Sequence, residues 1–547
     1  MKKYIYEIRF FIVIQLLLDA LSTGIIAFIP YIQKLLIDMI SQEGHVRYSF
    51  TLLTILFFAC IIGYSLCSYI SSIYTYRGII GFEVALKRGF FRNVFNYNYE
   101  EFSSRDIGEY ISIQGNDITQ IQQSYLQPSI DLIRSIINLI IYSVILFVYV
   151  DWRIATAILF MSLVTIFIPK ITGKELSNKQ NDYLKQKGVY VSRIKDFLEG
   201  FTLIQRRTRT NINNEHEKVL KATADKRFTF GAFKVLSLTI YEMSMYFVKF
   251  LAFIIAGKLL LKGEITVGTA VATFGYVGCF LDPLQDILND INAINSIKGT
   301  KERVMGYIRN NTPHDLEVMK EFEENIVFDN VSFHYKNFSL QNVSYTFKKG
   351  KKYAVIGHSG SGKSTIIKLL MKYMKPKTGD ILVDGKSLNS IDTADIMCCI
   401  NQNEHIFAEN FYNNVTIFSS YSSSKLDGIT NMFQTKIMDV IKEKQNCQLL
   451  SGGEKQVLSI MRMLTADTPI CVMDEPFSAT DVNITQILQN ALLAMEDKTI
   501  IIVTHKLSEQ LNQFDEILLM EDGKIIKSGS YEEILKTEEF KKLQAVA

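Results

Sequence analysis

The stretch Ala354-Val355-Ile356-Gly357-His358-Ser359-Gly360-Ser361-Gly362-Lys363-Ser364-Thr365 decides how the second half of the chain folds. Three apolar residues make a short buried strand, the glycines make a loop, and the apolar run 366–371 makes a helix. In that strand–loop–helix setting, glycine lets successive backbone N–H groups curl around phosphate at the positive end of the helix. Lys363 is placed to reach the β- and γ-phosphates of a nucleotide, and Ser364 to ligand Mg²⁺. Gly357, Ser359, Gly360, Gly362, Lys363, Ser364 and Thr365 are therefore the expected ATP-binding residues.

Working outward, a second buried strand, Ile470-Cys471-Val472-Met473, ends in Asp474-Glu475. An acid at the carboxyl end of a strand beside a phosphate loop holds Mg²⁺, and its neighbour can take a proton from the attacking water. A third strand over 499–503 ends in Thr504-His505, which puts the imidazole where α/β sheets bind ligands.

The first half is chemically different. Residues 1–310 carry 34 Lys+Arg and 25 Asp+Glu, while the remaining residues carry 25 and 31. Apolar segments recur at 10–37, 50–73, 130–150, 154–171, 238–261 and 267–288. Each comes close to the roughly 20 residues a helix needs to cross about 30 Å of hydrocarbon. The chain is thus expected to combine an all-α membrane domain of six helices (residues 1–308), a linker (309–324, opened by Asn310-Asn311-Thr312-Pro313), and an α/β nucleotide domain (325–547). The start, Met1-Lys2-Lys3 before an apolar run, resembles a signal peptide. Gln15 and Asp19 interrupt that run and hydrophobicity resumes from Ile25, so it reads as a retained first span.

Composition excludes other classes. Of 547 residues, 48% are hydrophobic, too many for a disordered chain. Seven cysteines at this length do not make a disulfide scaffold, and a net charge of +3 gives no field for nucleic acid. The connections after spans two and four are long and basic, with Arg77, Lys87, Arg88, Arg92 and Arg105 in the first. Those after spans one, three and five (41–49, 151–153, 262–266) are short and nearly balanced. The positive-inside rule puts the long loops and both termini in the cytosol.

Gly108-Glu109-Tyr110-Ile111-Ser112 with Asn116-Asp117, Glu199-Gly200 with Ile204-Gln205, and Gly263–Gly268 followed by Pro283 lie in the order and spacing of two intracellular loops and a sixth span. Leu450-Ser451-Gly452-Gly453-Glu454-Lys455-Gln456 resembles a signature motif, again a helix N-terminus offered to an anion. Together these make the chain similar to bacterial exporter-type half-transporters of the ATP-binding cassette (ABC) family. The resemblance implies that Ser451, Gly452, Gly453 and Glu454 contact ATP held by a partner chain. It further implies that Tyr335 stacks on adenine, that Gln402 links Mg²⁺ to the membrane domain, and that Asp481 lies in the loop crossing the dimer interface. Glu475 and His505 match the catalytic base and the γ-phosphate switch. The segment from Gln402 to Ser451 is shorter than the family's, and Gln445-Asn446-Cys447 replaces its usual Glu-x-Gly, so the coupling contacts do not carry over. Arg462 is the single arginine after residue 310, amid 24 lysines, and points to a planar multi-donor contact.

The expected function is ATP-driven export of a peptide, lipid or drug-like substrate across the cell membrane by a homodimer or heterodimer. An importer on the same fold and an ATP-gated channel or sensor stay open as alternatives. Ionisable groups inside spans usually face the bundle interior. Glu242, Asp282 and Asp286 are accordingly the candidate lining of a substrate cavity.

Overall fold

The computed structural model describes residues 1–42, 48–165, 168–309, 316–335, 338–402, 404–432, 436–505, 507 and 509–546. The linker residues Asn310–Pro313, the junction at 166–167 and the ring of Tyr335 lie outside the described residues. The chain divides into two compact units, Met1–Phe95 with Asp106–Asn311, and Asn96–Arg105 with Thr312–Ala547. The segment Asn96–Arg105 is flanked by membrane-unit helices in sequence, yet it groups with the second unit.

The first unit is helical. Its main elements are α1 (Arg9–Ala27), α2 (Ile29–Ile40), α3 (Phe50–Val94), α4 (Gln127–Tyr149), α5 (Trp152–Thr165), α6 (Ile168–Glu199), α7 (Arg209–Leu261) and α8 (Val267–Ser296). Among the described residues, five helical stretches are long and apolar enough to cross a membrane, and Trp152–Ser162 is apolar but shorter. The first stretch is broken where α1 gives way to α2: Phe28 stands between them, and Pro30 opens α2 in the first helical turn, where a missing N–H costs nothing. At that break the carbonyl of Ala27 accepts from the Tyr276 hydroxyl at 2.9 Å.

Helices α3 and α7 run for 45 and 53 residues. At 1.5 Å per residue each exceeds about 65 Å, twice the hydrocarbon thickness. That length accounts for the long basic loops: the spans continue as helix far beyond the bilayer. Helix α8 is the packed centre of the unit. Gly268, Ala272, Thr273, Tyr276, Val277 and Phe280 are buried on one face, and the Gly268 N–H donates to the buried Asp38 carboxylate at 2.9 Å. At the same end of the unit, Trp152 is 64% exposed, and Arg153 bonds Asp151 at 2.9 Å and pairs with Glu264 just before α8.

The second unit is built on two main sheets, beside a two-stranded ladder of Glu317–Val318 with Ile391–Asp392. The antiparallel one orders β1 (Asn325–Tyr335), β2 (Phe338–Lys348), β4 (Thr378–Val383) and β5 (Lys386–Ser387) as β2-β1-β4-β5. The other contains β3 (Lys352–Gly357), β6 (Met397–Ile400), β7 (Ile470–Asp474), β8 (Thr499–Val503), β9 (Glu516–Glu521) and β10 (Lys524–Gly529), ordered β10-β9-β3-β8-β7-β6. Strands β9, β3, β8, β7 and β6 are parallel, so their carboxyl ends share one edge. Strands β3 and β8 are buried along their whole length, the near-continuous apolar pattern of a sheet covered on both faces. Helices α9 (Lys363–Leu370), α10 (Gly452–Ala466) and α11 (Val482–Leu493) belong to this unit.

Candidate functional site: the carboxyl edge of the parallel sheet

Four neighbouring strands deliver the predicted residues to one edge. From the end of β3 the loop Gly357–Gly362 leads into α9. Gly362 is the N-cap at φ +106°, a left-handed conformation that a Cβ would resist. A Cβ on Gly357 would collide with the Met520 carbonyl oxygen of β9. The Lys363 ammonium is buried and donates to the carbonyls of Gly357 and His358, both at 2.8 Å, which curls it back over its own loop. Burial lowers its pKa, opposed by the charges of Glu475 and Asp474. Asp474, the last residue of β7, is raised above the usual carboxylate range by burial. A hydrogen bond from the Ser364 side chain works the other way, and the adjacent Glu475 charge adds to the rise.

Glu475 follows β7 with φ +51°, a left-handed position that is uncommon for a non-glycine residue. Its N–H donates to Val503 O at 2.9 Å, which fixes the turn against the end of β8. One carboxylate oxygen accepts from Gln402 Nε2 at 3.0 Å, and the other lies 3.3 Å from His505 Nδ1. Gln402 arrives from β6 and His505 from β8, so three strands converge on one carboxylate. The set combines a proton acceptor, a neutral amide, an imidazole and a Ser364–Asp474 oxygen pair. Such a set can hold a polyphosphate and take a proton from water. Tyr335 ends β1, and its ring lies outside the described residues.

A second cluster forms at the start of α10. Ser451 caps the helix with its hydroxyl accepting from Glu454 N (3.4 Å), while the Glu454 carboxylate accepts from Ser451 N at 2.7 Å. This reciprocal capping box anchors the first turn and leaves an orphan-donor helix end of 15 residues. The neighbouring loop packs on the glycine pair: a Cβ on Gly453 would come within 3.0 Å of Ala479 O. Gln456 bridges to Ser478 Oγ at 2.8 Å and to Ala479 N at 3.0 Å, and Asp481 caps α11 through Ile484 N at 2.9 Å. Thr480 Oγ1 bonds Thr485 Oγ1 at 2.8 Å. The loop ties this cluster to the first through the main chain, Ser478 N donating to Glu475 O at 3.2 Å, while among the described residues no side-chain hydrogen bond or ion pair joins Ser451 or Glu454 to Lys363 or Glu475.

The membrane candidates do not form one group. Asp282 and Asp286 are exposed on α8 away from its packed face, and Glu242 is exposed on α7 beside the buried Tyr241. Among the described residues no ion pair engages any of the three. Lys249 sits over the Tyr246 ring at 5.5 Å. Sequence reasoning missed a neighbouring polar set, in which Arg134 pairs with Asp131 at 3.0 Å and Ser71 donates to Asp19. Their being ionisable inside apolar helices was the available signal.

A family model described as ABC transporter transmembrane region matches residues 12–284, and one described as ABC transporter matches 340–478. The ATP-dependent lipid A-core flippase of Photobacterium profundum is 24% identical over 487 residues, covering 82% of this chain and 80% of that protein. The multidrug resistance-like ATP-binding protein MdlB of Buchnera aphidicola is 26% identical over 462 residues, covering 80% and 77%. The solved structure of a bacterial Atm1-family ABC exporter with ATP bound superposes with a TM-score of 0.81 at 19% identity, over 99% of this chain and 98% of the other, a likeness of fold. Two family models that together match well over half of the chain, and relatives aligned through both units, make one conclusion of all this: the chain belongs to the ABC transporters, as an ATP-driven half-transporter with membrane and ATP-hydrolysing regions on one polypeptide.

Proposed function

We propose that this half-transporter exports its substrate from the cytosol, and that it acts as a dimer in which each ATP is held between the Lys363 loop of one chain and the Ser451 helix of the other. The observation that carries the reading is the convergence of Gln402, Glu475 and His505 at one strand edge, while among the described residues the Ser451–Glu454 capping box makes no hydrogen bond to these three side chains. A membrane domain of residues 1–308 and a linker of 309–324 precede a nucleotide domain of 325–547, and both termini face the cytosol. Ser359, Gly360, Gly362, Lys363 and Thr365 cradle the phosphates, and Tyr335 meets the adenine. Gly452, Gly453 and Glu454 meet the partner's nucleotide, and Asp481 lies in the loop crossing the dimer interface.

Ser364, Asp474 and Gln402 offer oxygen donors suited to a hard cation, and the Ser364–Asp474 hydrogen bond brings two of them together, so the donor set fits Mg²⁺. The ion, where bound, neutralises charge on the phosphates. Glu475 takes the proton of the attacking water, with His505 and Gln402 orienting its two oxygens. In the membrane unit, the exposed Asp282 and Asp286 favour a cationic or zwitterionic substrate, with Glu242 as a further candidate. The lipid and drug names of the relatives agree with an amphipathic molecule.

The test is ATP-dependent flux in sealed vesicles oriented with the nucleotide units outward, using a cationic amphipathic dye and a labelled zwitterionic lipid. Accumulation inside the vesicles is export. Depletion would establish import, and solute-indifferent hydrolysis without flux would establish a sensor.

A further inference from the structure

Arg462 lies on α10, eleven residues beyond Ser451, which is about 16 Å along the helix at 1.5 Å per residue. Its guanidinium is largely buried and uses its whole fork. Nε donates to Asn414 O at 2.9 Å and Nη2 to Asn414 Oδ1 at 3.2 Å. Nη1 donates to His405 O at 2.9 Å and to Glu404 Oε2 at 3.4 Å. The plane lies 5.9 Å from the Phe407 ring. Burial lowers its pKa, and the Glu404 charge opposes that shift. An ammonium could meet one or two of these acceptors but not four in one plane.

The partners are not arbitrary. Glu404 turns its other oxygen back to Asn401, accepting from N at 2.8 Å and from Nδ2 at 3.0 Å. That closes a tight loop whose second residue is Gln402, the amide that donates to Glu475. Asn414 is fully buried in the helix Phe411–Thr416. Its side chain bonds the carbonyls of Phe407, Glu409 and Asn410 at 3.0–3.1 Å, so the backbone just beyond the Gln402 loop is fixed to the same guanidinium. Asn401 also hydrogen-bonds the Tyr373 side chain, whose ring stacks at 4.3 Å on Tyr99 of the segment Asn96–Arg105.

We propose that Arg462 is a positioning residue for ATP hydrolysis: through Glu404 it fixes the Gln402 loop to the helix that begins at Ser451, so that displacement of that helix moves Gln402 relative to Glu475. The main-chain bond from Ser478 N to Glu475 O ties the two clusters together without involving Gln402, and the buried fork is a second connection, running from the Ser451 helix through Glu404 to the Gln402 loop. The inference rests on Gln402 acting at the nucleotide.

The experiment is a double-mutant cycle on the full-length protein in lipid vesicles, with ATPase kcat and KM measured separately. Arg462→Lys is expected to lower kcat roughly tenfold with KM for ATP within about twofold, inside the 10²-fold that an ångström of misplacement can cost. On a Gln402→Ala background the same change is expected to cost less than about twofold, because the group it acts through is gone. Glu404→Gln retains an acceptor for Asn401 but not the carboxylate for Arg462, and should show the same non-additivity; it decides the matter if the lysine variant does not fold. Equal losses on both backgrounds would mean a merely structural role, and an unchanged kcat in Arg462→Lys would also overturn the proposal. Full turnover in Gln402→Ala alone would show that the earlier reading has failed, and this one with it.

Discussion

Carboxylates are used in opposite ways in the two units. At the strand edge, Glu475 is held at both oxygens by Gln402 and His505, and Asp474 by Ser364. On α8, Asp282 and Asp286 are exposed on a helix whose other face is the most buried in its unit, 61% of its apolar window against 6% for α3. A carboxylate fixed by its own chain is organised for one reaction, because its partners are present before any ligand arrives. Asp282 and Asp286 are engaged by no ion pair among the described residues, which leaves them available for the recognition of a cationic substrate proposed above. The first arrangement suits chemistry and the second suits recognition.

Four experiments break or sharpen that contrast. The largest effect belongs to Glu475→Gln, which keeps shape and hydrogen bonding but cannot accept a proton. Steady-state turnover should fall by about 10²–10⁴-fold while ATP affinity, read by nucleotide fluorescence, stays near wild type. Near-normal turnover in the purified variant would remove Glu475 as the base. Next, Ser451→Arg puts bulk and a cation at the helix end that meets the partner's nucleotide. In equal mixtures of randomly pairing mutant and wild-type subunits, activity should drop to about a quarter, the fraction of wholly wild-type dimers. A drop to half would mean the two sites work alone.

A smaller effect is expected on α8. Asp282→Asn or Asp286→Asn should raise the concentration of a cationic substrate that half-stimulates hydrolysis by about two- to fivefold, the scale of a solvent-exposed ion pair. Loss of folding yield together with hydrolysis would mark these carboxylates as structural and end the distinction drawn above. The smallest effect should come from Glu264→Gln, which removes a carboxylate engaged by Arg153 just before α8. Half-stimulation should shift by less than about 1.5-fold, since exposed pairs contribute little. A shift as large as that of Asp282 would reduce the α8 result to net charge.

Much of this was legible because the chemistry sits in consecutive residues. Gly357–Thr365, Asp474-Glu475 and Ser451–Glu454 carry their own strand or helix context, and a parallel sheet brings strand ends together whatever lies between. Span positions followed from length. The side of a helix on which a charge falls did not. Glu242 and Asp282 sit at similar depth by residue count, but packing around Tyr241 and Tyr276 sets which way each helix turns. Arg462 stood out by composition, yet its acceptors lie 48 to 58 residues earlier and no local pattern names them. The grouping of Asn96–Arg105 with the nucleotide unit was equally hidden, because a ten-residue excursion between long helices has no core of its own.

Trp152 opens α5 in the short turn after α4, largely exposed, and it is the only tryptophan in 547 residues. The protein therefore carries a built-in optical side-marker: its red-edge emission comes from one point at one end of the helical bundle. With both termini cytosolic, as proposed, iodide added to right-side-out vesicles of the purified protein should quench that emission, and iodide added to inverted vesicles should not. One unlabelled fluorescence measurement thus reads the orientation of the whole chain, and the same signal follows that end of the bundle through each cycle of ATP hydrolysis.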